Sequence, residues 1–145
     1  MKLLVSTILA FSATAAFSVE EANHFVCKGK QVSVVMDTSS KTGAPLLSIL
    51  GDQFGQSVNL VQVELTDSPM GQQVSGFFDG IADANMTYTL IVPRVLVKIP
   101  GTQKIEGMLA RTFTGGLMAP NTNESRVVES NSFMPVRCVA QVVRF

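Results

Sequence analysis

Residues 133–145 read Phe-Met-Pro-Val-Arg-Cys-Val-Ala-Gln-Val-Val-Arg-Phe, with Val136, Cys138, Ala140 and Val142 on one phase and Arg137 and Gln141 on the other. Apolar residues two apart mark a half-buried β-strand, because successive side chains of an extended backbone point to opposite faces. Cys138 lies on the apolar face of this last strand. The one other cysteine is Cys27, in phase with Phe25 where the β pattern of the chain begins. A bridge between them closes a loop of over a hundred residues. In the chain-entropy model that is worth about 4 to 5 kcal/mol, and it requires the two chain ends to be neighbours.

The first residues say why the cysteines should be paired. Met1 and Lys2 make a short positive start, Leu3 to Phe11 an apolar stretch broken only by Ser6 and Thr7, and small residues follow. That order describes a secretory leader, cut after Ala15 (with Ala13) or after Ser18 (with Ala16). Residues 1–18 are therefore read as a signal peptide and 19–145 as a single β domain, secreted or periplasmic. The apolar run is too short to span hydrocarbon and no second one follows, so no membrane span is expected in the mature chain. Cys27 lies well past the apolar stretch, behind His24, Phe25 and Val26, which does not fit a lipid anchor. An oxidising destination favours a disulfide. A metal site is not expected either, since there is no Cys-x-x-Cys spacing and His24 is the only histidine.

Working inward from the ends, the pattern is short, alternating and rich in Val, Ile and Thr. The first strand begins near Phe25, and its apolar phase changes around Gly29 to Val32, Val34 and Met36, which reads as one bent strand with a β-bulge. Asp37 to Gly43 is a polar turn, and Leu46 to Leu50 a second strand. The third, Val58 to Thr66, sets Gln62 and Glu64 on a wet face against Val61, Val63 and Leu65 on a dry one. Val74 to Asp79 is the fourth, Gly80 to Asn85 a connection, and Met86 to Val92 the fifth. Pro93 cannot donate to a ladder, so a bulge or an open edge is expected there. The phase then shifts to Val95, Val97 and Ile99, and after Pro100-Gly101 the segment Lys104 to Thr114 pairs back in a long bent hairpin. Gly115 to Ser132 reads mostly as connection, with a short strand at Arg126 to Glu129. The class is all-β. A small antiparallel barrel with adjacent terminal strands is preferred over a sandwich because closure removes exposed edges.

Composition excludes more functions than it suggests. Eleven basic and eleven acidic residues balance, and loss of Lys2 with the leader leaves −1. Singly scattered Lys and Arg give no basic stripe for nucleic acid. Phe145 after alternating apolar residues looks like the end of an outer-membrane barrel, but the chain has no Trp and one Tyr where such barrels carry aromatic girdles. No catalytic residue or cofactor is nominated. His24 stands alone near a frayed end, without a neighbouring nucleophile. Most of the acids sit in turns or on wet faces, and Glu106 beside Gly107 is the least bland of them. Gly115, Gly116, Leu117 and Met118 invite two readings, a turn that caps the core and a contact with a ligand or partner. Asn85-Met86-Thr87 and Asn123-Glu124-Ser125 match the glycosylation acceptor.

The expectation is thus a secreted, non-enzymatic binding protein acting through its loops or barrel mouth, chiefly the long connection Thr114–Ser132. Its partner, a protein or a small molecule, is not specified. The alternatives are a carrier holding a small apolar ligand in a barrel cavity, a hydrolase using a carboxylate pair, and a structural envelope component.

Overall fold

The computed structural model describes residues 17–39, 41–51, 55–79, 84–118 and 125–145, and among them every regular element is a β-strand. In chain order these are β1 (Val19–Glu21), β2 (His24–Lys28), β3 (Val32–Asp37), β4 (Leu46–Gly51), β5 (Val58–Asn59), β6 (Val61–Ser68), β7 (Gly71–Phe78), β8 (Ala84–Val92), β9 (Leu96–Lys98), β10 (Thr102–Met118) and β11 (Ser125–Gln141). Nine of them form one antiparallel sheet in the order β5-β4-β3-β2-β11-β10-β8-β7-β6, while β1 pairs with β9 apart from it. The nine-stranded sheet curls into a nearly closed barrel.

The register keeps the apolar phases on the inner face. Phe25 faces Met36, Cys27 faces Val34, Val34 faces Ile49, Val74 faces Leu90, and Leu90 faces Leu109. All of these side chains are buried, together with Leu47, Tyr88, Val92, Val136 and Ala140. Cys27 and Cys138 lie directly opposite each other in the β2–β11 ladder and are bonded, with Cα atoms 3.9 Å apart. Around this bridge the chain ends are clamped. The Asn23 amide donates to the Val143 carbonyl (2.9 Å), its Oδ1 accepts the Val143 N–H (2.8 Å), and Arg144 pairs with Glu20.

Closure occurs at one residue. The edge strands β5 and β6 are separated in sequence by Leu60 alone, so the chain steps there from one edge of the sheet to the other. The Leu60 N–H bonds the Leu47 carbonyl of β4 (2.9 Å), and its buried side chain rests on β7, where a Cβ at Gly76 would come within 2.8 Å of the Leu60 Cβ. Gln62 follows at a φ of 50°, and the β6–β7 register shifts between Val61 and Glu64. The strand expected from Val58 to Thr66 is therefore two strands on opposite edges. Its expected dry face is dry only in part: Val63 packs against the core, whereas Val61 and Leu65 are 44% and 42% exposed on this edge strand.

Other expectations also need correction. The phase change at Gly29 is a hairpin and not a bulge: the Gly29 N–H bonds the Val32 carbonyl (2.8 Å), and β3 returns along β2. At Pro93 the strand neither bulges nor lies along an edge. It ends at Val92, and the shifted residues form β9, which pairs with β1, a strand hidden in the polar run Val19–Glu21. The hairpin with β10 starts only at Ile91, opposite Met108. The disulfide joins β2 and β11, the first and last strands in sequence of the nine-stranded sheet, as expected, with the short β1 lying outside that sheet. The largest correction concerns Gly115–Ser132. Gly115–Met118 and Ser125–Ser132 are strand, paired without interruption from Gly115 opposite Val128 to Met118 opposite Ser125, and residues 119–124 lie outside those described.

Candidate functional site

The long strand β11 creates a large discontinuity in the barrel wall, and β10 a shorter one, where β8 pairs with Met108–Gly115 and leaves Thr102–Gly107 without a described strand neighbour on that side. β11 has seventeen residues and pairs along its whole length with β10, but on its other side β2 covers only Arg137–Gln141. The β2–β3 hairpin turns back at Gly29, and among the described residues no strand occupies the lane beside residues 125–136. The hairpin-closing bond at Gly29 turns odd-numbered β2 residues toward β3 and even-numbered ones toward β11, where His24, Val26 and Lys28 face Gln141, Val139 and Arg137. Odd-numbered β11 residues therefore aim their N–H and C=O at this side. Beyond β2 those are Pro135, Phe133, Asn131, Glu129 and Val127. Pro135, with no N–H to leave bare, comes first past the end of the covering strand. Phe133 to Val127 present unbonded backbone groups, and no backbone partner for them exists among the described residues.

Two apolar side chains stand on this edge. Val127 is 75% and Phe133 67% exposed. Their cross-strand neighbours on β10 are Gly116 and Ala110, the smallest residues available, so the sheet itself offers them no cover. Paired side chains on neighbouring strands are what normally shields such groups.

At the foot of the lane lies a notch of about 190 Å³, walled by Val32, Ile49, Tyr88 and Met134, with Arg111 and Ser132 beside them. Arg111 faces Tyr88 on β8 and Ser132 on β11 and shares the inward phase of Leu109 and Phe113. The Ser132 hydroxyl is buried with no hydrogen-bond partner among the described residues. None of these residues stands out in a motif search. The available signal was an arginine in the apolar phase Leu109-Arg111-Phe113, where a strand filling a dry core would carry a hydrophobe.

The sequence-nominated residues belong to the far end of the same β10–β11 pair. Gly115 is buried opposite Val128, and a Cβ there would meet the Phe113 ring at 2.7 Å; Gly116 faces open space opposite Val127. Leu117 and Met118 pair through their backbones with Arg126 and Ser125, and their side chains lie outside the described residues. The four are thus strand and not turn. Gly116 alone touches the open edge, by leaving Val127 bare. Of the glycosylation acceptors, Asn85 lies within β8 opposite Thr114 and not on a connection, and Asn123 falls outside the described residues.

Among the described residues the ionisable groups gather into no second site. His24 is not frayed: it lies half-buried in β2, 3.2 Å from Asp37 across the ladder. Burial raises the Asp37 carboxyl, but the Ser39 hydroxyl, the Ser39 N–H and the His24 ring outweigh it and hold it below its ordinary value. Arg94 spans Asp67 (2.9 Å) and Glu21 (3.8 Å), and Gln72 donates to Glu21 (3.0 Å), which ties β1 to the β6–β7 end of the barrel. Glu106 points outward in a row with Arg137 and Lys28, on the rim of an open groove of about 780 Å³. Among the described residues no three His, Cys, Asp or Glu side chains gather as a metal site, and no helix is long and apolar enough to cross a membrane. Comparison with protein-family models, with curated proteins and with solved structures finds no match to this chain.

Proposed function

We propose that this is an exported, non-enzymatic binding protein, freed of a leader within residues 1–18, that captures an extended peptide segment as an added strand along β11. The carrying observation is the edge from Val127 to Phe133, in line with β2 and without a strand partner among the described residues above the Gly29 turn. Main-chain bonds to such an edge supply affinity, and alternate side chains of the incoming strand supply specificity. Its inward residues would meet the notch at Val32, Ile49 and Tyr88, and its outward ones would cover Val127 and Phe133. Gly116 would leave room beside Val127 at the outer end of that lane, and Gly115, Leu117 and Met118 would hold that end of β11 in place through their backbones.

Other features favour a partner at the surface over a ligand inside. The inner positions are taken up by large side chains such as Phe25, Met36, Leu47, Ile49, Tyr88 and Leu90, which a carrier would need to leave apart. A carboxylate-pair hydrolase needs one acid raised toward neutrality, whereas Asp37 is shifted downward. Lys28, Lys104, Glu106 and Arg137 on the outer wall suit water and not lipid. The cross-strand disulfide suits an oxidising secreted or periplasmic destination.

The test is selection of displayed ten-residue peptides on the oxidised mature protein, repeated on Asn131→Pro. That substitution deletes an N–H aimed at the open lane and leaves the β10 ladder its own donors. Enriched peptides should alternate apolar and polar residues and lose at least about tenfold in affinity for Asn131→Pro. Enriched peptides indifferent to that change would overturn the reading.

A further inference from the structure

We infer that the strand received by β11 is β11 of a second copy of this chain, paired antiparallel about a two-fold axis at Ser130. This rests on the strand-addition reading and adds the identity of the occupant. An isologous pairing is one in which each residue faces the partner's counterpart across the axis. About Ser130, Val127 lies opposite the partner's Phe133, and Glu129 opposite the partner's Asn131. Odd numbers oppose odd numbers, so the outward-directed backbone groups of both edges meet as hydrogen-bonded pairs.

Neighbouring registers are worse for stated reasons. An axis at Glu129 sets two carboxylates directly against each other, and like charges in facing positions repel. An axis at Asn131 sets Val127 against the partner's Pro135, which has no N–H to give. Only the Ser130 axis places the two exposed apolar residues of the edge, 75% and 67% accessible, over one another while both stand beside small neighbours on β10. It also puts the partner's Val128, on the inward phase, opposite Ser132 at the notch walled by Val32, Ile49, Tyr88 and Met134. A β-branched apolar side chain suits that opening.

The interface is one strand wide and smaller than the roughly 1,600 Å² of a standard stable complex, so the dimer should be weak and is best trapped. Ser130 is exposed and sits at the axis, in a position whose backbone groups face β10, the closely spaced kind of cross-strand pair. In the full mature protein, Ser130→Cys incubated with oxidised glutathione should form a 130–130 disulfide. Two thiols lose their hydrogens and each glutathione disulfide yields two reduced glutathiones. Non-reducing peptide mass spectrometry reads the link.

Asn131→Cys, whose facing residue is the partner's Glu129, should cross-link at least about tenfold less, and so should Ser130→Cys combined with Asn131→Pro. Should the proline variant fail to fold by circular dichroism, Phe133→Lys replaces it, since it sets a charge against the partner's Val127. Equal cross-linking of Ser130→Cys and Asn131→Cys, or a monomeric Ser130→Cys, overturns the inference. A synthetic peptide copying residues 126–134 separates the two levels. Edge-dependent binding of selected library peptides with no self-association removes the second copy alone, and no binding of either kind removes strand addition with it.

Discussion

Replacing Leu60 by alanine tests whether one residue closes the barrel. Leu60 is 6% exposed, is held by its N–H to the Leu47 carbonyl, and packs over Gly76 of β7. The substitution removes three buried carbons. At about 0.8 kcal/mol each that is a transfer loss near 2.4 kcal/mol, and the cavity left between rigid strands raises the expected cost to about 3 kcal/mol. Such a loss is a large part of the roughly 5–15 kcal/mol that holds a domain folded. The assay is urea unfolding of the oxidised protein, followed through Tyr88, the only tyrosine, which is 1% exposed. Leu65→Ala is the control: the same side chain, on β6, but 42% exposed and expected to cost under about 1 kcal/mol. If the two variants lose equal stability, Leu60 is not the closing contact and the β5–β6 crossing has been misplaced.

Replacing both Cys27 and Cys138 by alanine frees a loop with a sequence separation of 111 residues, and should cost up to about 4 to 5 kcal/mol and raise the denaturant m-value as the unfolded chain expands; a loss below about 1 kcal/mol would show that the clamps at Asn23 and Glu20 suffice. Asp37→Asn should lower stability at neutral pH by about 1 kcal/mol. Because the folded-state pKa of Asp37 lies below its ordinary 3.8, that contribution is complete above the ordinary value and is lost as pH falls through the folded one, so the gap between wild type and variant should close on acidification, checked by unfolding at stepped pH. A gap that widens in acid would contradict the bonding described. Gly71→Ala should destabilise by more than about 2 kcal/mol, since φ is 135° there and a Cβ would strike the Val92 carbonyl and approach the Pro93 Cα at 2.8 Å; thermal melts that match wild type would show that the β6–β7 turn relaxes freely.

What the sequence revealed was what burial imposes. Met86, Tyr88, Leu90 and Val92 alternate because one face of β8 lines the core, and Val136, Cys138 and Ala140 do so for the same reason. These runs, the paired cysteines and the all-β class were therefore legible. The crossing at Leu60 was not, since its side chain continues an apolar run that reads as one strand, and only tertiary pairing shows that its two halves lie on different edges. The outer half of β11 was hidden for the opposite reason. Paired with β10 alone among the described residues, Glu129, Ser130 and Asn131 are all exposed, no alternation is enforced, and a polar run of that composition looks like a loop. The candidate site is thus illegible as a motif because it consists mainly of backbone. Arg111 was its one readable mark.

The bare edge can be measured directly by residue-resolved amide hydrogen exchange along β11. The N–H groups of Val128, Ser130 and Ser132 face β10 and should exchange slowly, while those of Val127, Glu129, Asn131 and Phe133 face the empty lane and should exchange near the rate of an unstructured chain in the dilute monomer. As protein concentration is raised, or a captured peptide is added, the odd-numbered set should slow and the even-numbered set should stay unchanged. Uniform protection across Val127–Phe133 in the dilute protein, or an odd-numbered set that no strand slows, would contradict capture at this edge.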